Sequence, residues 1–235
     1  MPALSKRLSL IASFVPQDAL VCDIGTDHGY LAIALIESGK AKKVIAADIA
    51  EKPLANAAKN IEKANVTGIS LRLCNGLSAI KPKETDTIII AGMGGEVISE
   101  ILDNGHNVTK RKGVSIILQP TTSPEHLRRF LYENGYEIIR EEAVFENNKL
   151  YSVMLVKFTG VTQKCEDYFY YIGKLLPCDE ASTLYIEKQQ KRAEKCKTSL
   201  ENIKEKEADY LHYKSVFNGI SLFLKTFNGE NNNGV

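Results

Sequence analysis

The chain predicts an α/β protein: a doubly wound, mostly parallel sheet that closes with an antiparallel pair, followed by an α-helical coiled-coil extension. Three observations predict it. Apolar β-rich runs alternate with helical segments through residues 1–159. The last two of those β runs are separated only by a turn. From residue 160 to 227 the β-branched runs stop and Glu, Lys, Gln, Leu and Tyr become dense, which is helical composition.

Leu20–Ile24 is an apolar run ending in Asp23-Ile24-Gly25, which suits a buried parallel strand. Tyr30–Ser38 reads as a helix, Lys43–Asp48 as the second strand and the Ala-rich Pro53–Asn65 as the next helix. Ile69–Cys74 and Thr87–Ala91 are strands three and four, with a helix over Glu96–Asn104 after them. Val114–Leu118 is the fifth strand, and the helix Pro124–Asn134 takes Ser123 as its N-cap with proline at its first position. Tyr136–Phe145 and Tyr151–Phe158 close the sheet as a hairpin around Glu146-Asn147-Asn148-Lys149. Beyond it, Val161–Leu176 predicts a helix stopped by Pro177. Asp179–Tyr213 predicts a long helix whose Ala193, Cys196, Leu200 and Ile203 keep heptad spacing, so a helical hairpin is expected with a third helix near Ser215–Phe227. The polar tail 228–235 is expected to be disordered.

Composition excludes several classes. With 235 residues, 44% hydrophobic and 25% charged, the chain is globular and long enough for one domain plus an appendage. No stretch approaches the ~18–20 apolar residues of a membrane span. The start shows no cleavable leader, so a cytoplasmic protein is expected. Five cysteines, an odd number with no C-x-x-C pair, argue against a disulfide framework or a zinc site, and no metal is expected. The formal charge is +1, and each half is near neutral: 19 basic against 18 acidic residues in 1–159, and 11 against 11 in 160–235. A broadly basic nucleic-acid binder is thereby excluded.

The most informative segment is Asp23-Ile24-Gly25-Thr26-Asp27-His28-Gly29-Tyr30, where strand one turns into a helix. Glycines there let backbone amides approach a ligand, and doubly wound sheets bind ligands at strand carboxyl ends. A dinucleotide site calls for Gly-x-Gly-x-x-Gly around a pyrophosphate. Here the spacing is Gly-x-x-x-Gly, and Asp23 and Asp27 would repel a pyrophosphate but suit a ligand with an ammonium and a sulfonium. Asp48 ends strand two, 25 residues after Asp23, where a carboxylate can accept from ribose hydroxyls. Together these favour S-adenosylmethionine over NAD, although Asp48 also fits as an N-cap for the helix after it. Three further segments fall at strand ends. Asn75-Gly76 can meet an adenine edge, and Gly92-Met93-Gly94-Gly95 leaves exposed backbone with room for a flat substrate. Gln119 can donate or accept at the cleft rim or lie on the surface.

Asp-Ile-Gly-Thr-Asp-His-Gly-Tyr-Leu, then Ala-Gly-Met-Gly-Gly, then Leu-Gln-Pro, together resemble the bacterial tRNA (adenine-22-N1)-methyltransferase family, with support from Leu4–Leu8 and Asn148–Tyr151. The resemblance implies a Rossmann-like class I methyltransferase domain over 1–159, a helical coiled-coil domain over 160–227, and methyl transfer from S-adenosylmethionine to N1 of adenine 22 in tRNA. It implies cofactor contacts at Asp23, Gly25, Asp27, Gly29, Asp48, Asn75 and Gly92, with Thr26, Ile49, Gly76 and Met93 beside them. Many adenine-amino methyltransferases carry Pro-Pro-Tyr after strand four; this chain has Gly92–Gly95 there, which counts against methylation of the exocyclic amine.

Neutral adenine has an in-plane lone pair at N1 and no proton to remove, so no general base is required. Asp27, His28 and Tyr30 are the candidates near the target base. For tRNA phosphates the candidates are Lys6 and Arg7, Lys110 and Arg111, Arg128 and Arg129, and a helical face of Lys188, Lys191, Arg192 and Lys195. A monomer is expected. A methyltransferase for another RNA or a small molecule is the alternative, without the apolar lid that small-molecule enzymes use; a non-catalytic interaction protein is the other.

Overall fold

The computed structural model describes residues 4–232. The elements run α1 (Lys6–Phe14), β1 (Ala19–Ile24), α2 (Tyr30–Glu37), β2 (Ala41–Asp48), α3 (Glu51–Ala64), β3 (Ile69–Leu73), β4 (Thr87–Gly94), α4 (Gly95–Asn104), α5 (His106–Thr109), β5 (Ser115–Thr122), α6 (Pro124–Glu133), β6 (Tyr136–Glu146) and β7 (Lys149–Phe158). Three further helices follow, α7 (Asp167–Ile172), α8 (Glu180–Leu200) and α9 (Glu207–Asn232), with a 3₁₀ turn at Lys204–Lys206 before the last.

The sheet has the order β3-β2-β1-β4-β5-β7-β6, parallel through β5 and antiparallel at β5–β7 and β7–β6. Alternation along the strands divides the core in two. Ile88 and Ile90 of β4 pack with Ile116 and Leu118 of β5 under α4 and α6. Ile89 and Ile117, pointing the other way, pack with Ile11 and Phe14 of α1 and with Leu31 and Leu35 of α2. Burial on both faces is why these strands read as continuous apolar runs rather than alternating ones. The hairpin turn forms as expected: Asn147 and Asn148 both take positive φ (49° and 59°), the pattern of a type I′ turn.

Several expectations are corrected. Ser123 does precede α6, but with φ 49° it makes no side-chain cap; its hydroxyl donates to Glu96 Oε1 at 3.1 Å. Helix 161–176 shrinks to Asp167–Ile172, and Gly173 (φ 62°) ends it rather than Pro177. A Cβ on Gly173 would collide with the Glu141 carboxylate and the Arg128 guanidinium, so the chain turns away there. The long helix stops at Leu200, because Asn202 turns left-handed (φ 70°) and the charged run after it makes the hairpin turn. Ile203, expected on the heptad seam, is instead exposed in that turn. Helices α8 and α9 run antiparallel, with Gln190 Nε2 donating to Ser221 Oγ at 2.9 Å and the Lys197 ammonium over the Phe217 ring. The third helix is therefore absorbed into α9. Part of the expected tail continues that helix to Asn232, and residues 233–235 lie outside the described residues.

The helical pair is seated on the sheet hairpin. Ile186, Ala193, Val216 and Ile220 form its core, with Ala143 of β6 and Leu150 of β7 packed against it. Among the described residues no helix is long and apolar enough to cross a membrane.

Candidate active site

The register aligns Ile24 of β1 with Ala47 of β2 on one side and Ile90 of β4 on the other. The turn after β1 thus emerges between Asp48 and Ala91–Gly92, at the switch point of the strand order, where such sheets bind ligands. Its backbone is tied down: the Gly25 and Thr26 N–H groups both donate to the Ala47 carbonyl (2.8 and 3.2 Å), and Gly29 N–H donates to the Thr26 carbonyl at 2.7 Å. Gly25 has φ 80°, and the space its missing Cβ leaves is filled by the Met93 methyl. Asp27, a non-glycine residue, is held at φ 29°.

A cavity of about 370 Å³ opens here, lined by Asp23, Thr26, Asp27 and His28 from the turn, and by Arg7 of α1 and Gly92 of β4. Asp23 is its buried acid, 5% exposed. Burial pushes the Asp23 carboxyl up to about 6; the neighbouring Thr26 hydroxyl draws it partly back down, and the like charge of Asp48 adds to the rise. No cation stands within ion-pair distance of it among the described residues. Thr26 Oγ1 is likewise buried beside Asp23, and among the described residues it makes no well-formed hydrogen bond. A buried carboxylate with no cationic partner, beside a hydroxyl that makes no well-formed hydrogen bond, fits a ligand that brings an ammonium and polar hydrogens; these residues therefore suit S-adenosylmethionine. Beside them the Cys22 thiol is pushed up by burial and by Asp23, so it stays protonated and is no nucleophile.

Asp48 is half-buried and does not cap α3, whose N-cap is Ala50. Its Oδ1 accepts from the Ala50 N–H at 2.9 Å, which fixes the carboxylate and leaves Oδ2 without a partner among the described residues. Ile49 next to it is 67% exposed, a large apolar side chain held in solvent. Asn75 and Gly76 line a separate depression of about 240 Å³ with Val97, Glu100 and Ile101 of α4. The expected cofactor set is therefore spread over two neighbouring hollows and the ridge after β2.

Further residues depart from expectation. The glycines at the β4–α4 junction do not all make room for a substrate. Gly95 is buried, and a Cβ there would collide with the Ser123 carbonyl, so this glycine serves close packing of two turns; Gly92 alone lines the cavity. Gln119 is fully buried rather than at a rim or on the surface. Its Oε1 accepts from Arg7 Nη1 (2.7 Å) and from the Gly92 N–H (3.1 Å), while its Nε2 donates to the Pro120 carbonyl (2.7 Å). Nothing in the spacing signals this link, because Arg7 and Gln119 lie 112 residues apart.

At the cavity mouth, Asp27 is 68% exposed at its side chain and stands 3.3 Å from His28 Nε2. The His28 and Tyr30 rings stack at 5.4 Å with 23° between planes. The Asn60 amide donates to the His28 carbonyl at 2.9 Å, holding this end of the turn.

Among the basic residues, Arg128 is a plain correction. It is wholly buried, paired with Glu141, and donates through Nη1 to the carbonyls of Tyr170 (2.7 Å) and Tyr171 (2.9 Å), so it reaches no phosphate. Arg7 is recessed in the cavity. Arg192 pairs with Glu125 at 2.8 Å and lies over Tyr171, and Arg129 pairs with Asp167 over Tyr170. Arg111 donates to the Thr85 carbonyl, and Lys110 sits over the Phe158 ring. Lys6, Lys188, Lys191 and Lys195 are exposed.

A family model for methyltransferase domains matches residues 4–154. The tRNA (adenine(22)-N(1))-methyltransferase of Bacillus subtilis (strain 168) is 39% identical over 155 residues, which are 66% of this chain and 65% of that enzyme, just under two thirds of its length. The Streptococcus pneumoniae protein Sp1610, solved in complex with S-adenosyl-L-methionine, matches with a TM-score of 0.77 at 36% identity over 92% of this chain and 100% of that one. The M. capricolum TrmK, solved with S-adenosyl-homocysteine, matches with a TM-score of 0.78 at 29% identity over 95% of this chain and 99% of that one. With the fold, the strand-end carboxylates and these likenesses in agreement, the chain belongs to the class I methyltransferases, in the family of the tRNA (adenine-22-N1)-methyltransferases.

Proposed function

We propose that this chain transfers the methyl group of S-adenosylmethionine to N1 of adenine 22 in tRNA. The observation that carries it is Asp23: a buried carboxylate with no cationic partner, facing a cavity at the switch point of the sheet. When bound, S-adenosylmethionine supplies an electrophilic methyl group on a sulfonium. Asp23 holds its ammonium, Asp48 accepts from its ribose hydroxyls, and exposed Ile49 offers an apolar face to its adenine. The Asn75 amide and the Gly76 backbone take the adenine edge, while Gly25, Thr26, Gly29, Gly92 and Met93 shape the space between.

Attack by N1 needs no proton removed, so the site must supply alignment and charge. The stacked His28 and Tyr30 rings give the target adenine an aromatic surface at the cavity mouth. Asp27, beside His28, places negative charge near the cation that forms on the methylated base. The adenine reaches them only once it has left its stack in the tRNA. Division of labour follows, with residues 1–159 holding the cofactor and residues 160–227 presenting Lys188, Lys191 and Lys195 to phosphates alongside Lys6 and Lys110. We read the protein as cytoplasmic, where tRNA is modified, and as a monomer, since Ile186 and Ala193 of α8 and Val216 and Ile220 of α9 bury one another within the chain. Calorimetry with S-adenosylmethionine tests the foundation: saturable binding at micromolar to millimolar cofactor is expected, and none at millimolar concentration would defeat the proposal.

A further inference from the structure

We infer that Arg7 is the residue that binds the carboxylate of the cofactor's amino-acid end, an assignment that rests on the proposed use of S-adenosylmethionine. That end of the molecule carries an ammonium and a carboxylate on the same carbon. Asp23 answers only the first. A carboxylate left beside Asp23 and Asp27 would be repelled, so the cavity must also offer a cation. Arg7 is the one lining residue that is cationic at neutral pH without depending on a histidine, among the described residues.

The side chain is built into place from three directions. Its backbone N–H donates to Glu146 Oε1 at 2.9 Å, and Glu146 Oε2 stands 3.6 Å from its Nε. Its Nη1 donates to Gln119 Oε1 at 2.7 Å. Its guanidinium lies 5.8 Å from the centre of the Tyr151 ring. Glu146 thus occupies the Nε side, and Nη2 donates to nothing among the described residues, so part of the fork remains open to a ligand. Gln119 ties that fork to the site directly, because the same amide oxygen accepts the Gly92 N–H at the end of β4.

An RNA phosphate is the competing oxyanion. Residues that serve phosphates are long and exposed, as Lys188 and Lys191 are here. Arg7 is 24% exposed at its side chain, held by Glu146 and Gln119, and shares its cavity with the carboxylate of Asp23. The arrangement therefore favours the small zwitterion.

The test compares two ligands on the full-length protein without RNA: S-adenosylmethionine and its decarboxylated form, which keeps the ammonium, sulfonium and nucleoside. Calorimetry on wild type should show S-adenosylmethionine bound more tightly, by roughly 10- to 100-fold as a charge-assisted contact implies. In Arg7→Met that preference should collapse toward unity, with the decarboxylated ligand bound as before, and Arg7→Lys should restore part of it. Equal weakening of both ligands in Arg7→Met would overturn the assignment, because Arg7 would then act only by holding α1. Unchanged binding of both, with weakened binding of tRNA, would overturn it in favour of the phosphate. If wild type bound neither ligand, the cofactor proposal itself would fall and take this one with it.

Discussion

Asp23→Asn should make the free protein more stable and the cofactor complex weaker. The Asp23 carboxyl titrates near 6, raised from 3.8 by burial, so its charged form is disfavoured in the folded state. That difference corresponds to roughly 3 kcal/mol at 1.36 kcal/mol per pH unit. The sign follows from proton binding. A raised acid holds its proton more tightly when folded, so its burden is absent below about pH 4 and grows to its full value as pH rises past 6. Asparagine carries no such charge and nearly the same shape. At pH 7.5 the variant should therefore melt higher, by about 6–12 °C if all of the 3 kcal/mol is recovered in a chain of this size. At pH 4 the two proteins should melt together. Affinity should move the other way: the variant should lose roughly 10- to 100-fold in binding S-adenosylmethionine, because an ammonium–carboxylate contact is gone. Wild-type affinity should itself fall as pH drops below 6, approaching tenfold per unit. Differential scanning calorimetry with and without cofactor across pH 4–8 reads all of this. A variant that melts lower than wild type at pH 7.5, or wild-type affinity that stays flat from pH 7.5 to 5, would refute the reasoning.

Three other outcomes follow from the same geometry. Asp48→Ala removes only the contact to the Ala50 N–H, so urea denaturation should show a loss of about 1 kcal/mol or less, while cofactor affinity drops at least tenfold. Arg128→Met strands the Glu141 charge in the core and should cost about 3–5 kcal/mol in urea denaturation, much of it recovered in the Arg128→Met, Glu141→Leu double variant. Replacing Lys188, Lys191 and Lys195 with alanine should leave cofactor binding unchanged and flatten the slope of log affinity for tRNA against log salt by up to about 2–3; an unaltered slope would remove α8 from the RNA surface.

The Arg128 network also changes how the helical region can be studied. Removing residues 161–235 would uncover the Arg128–Glu141 pair and delete the Tyr170 and Tyr171 carbonyls and the Tyr185 hydroxyl that satisfy it. Loss of activity on truncation would then report damage to the sheet domain as readily as loss of RNA contacts, so point substitutions on α8 are the sounder probe.

The fold was legible where local pattern and tertiary packing agree. Strand segments such as Thr87–Ile90, buried on both faces, announce themselves by composition, and Asn147-Asn148 supplies the left-handed pair that its turn requires. The cofactor turn was legible because its chemistry is local: Asp23, Gly25 and Asp27 lie within five residues. What escaped depends on partners distant in sequence. Residues 161–176 have helical composition, yet the helix is cut short where Gly173 passes the Arg128–Glu141 pair. Arg128 itself looks like surface charge beside Arg129, and only the fold shows one buried and the other half-exposed. Gln119 carried no signal beyond its expected place at a strand end, although it lies inside β5 and joins Arg7 to the end of β4 across 112 residues.

The central claim is tested most directly by mapping the modified base. An unmodified tRNA transcript, incubated with the protein and S-adenosylmethionine carrying a labelled methyl group, should gain one label per molecule. Digestion and mass analysis should place it on N1 of adenine 22, and a transcript with guanine at that position should gain none. Label on another atom or another nucleotide, or equal labelling of the guanine transcript, would contradict the account.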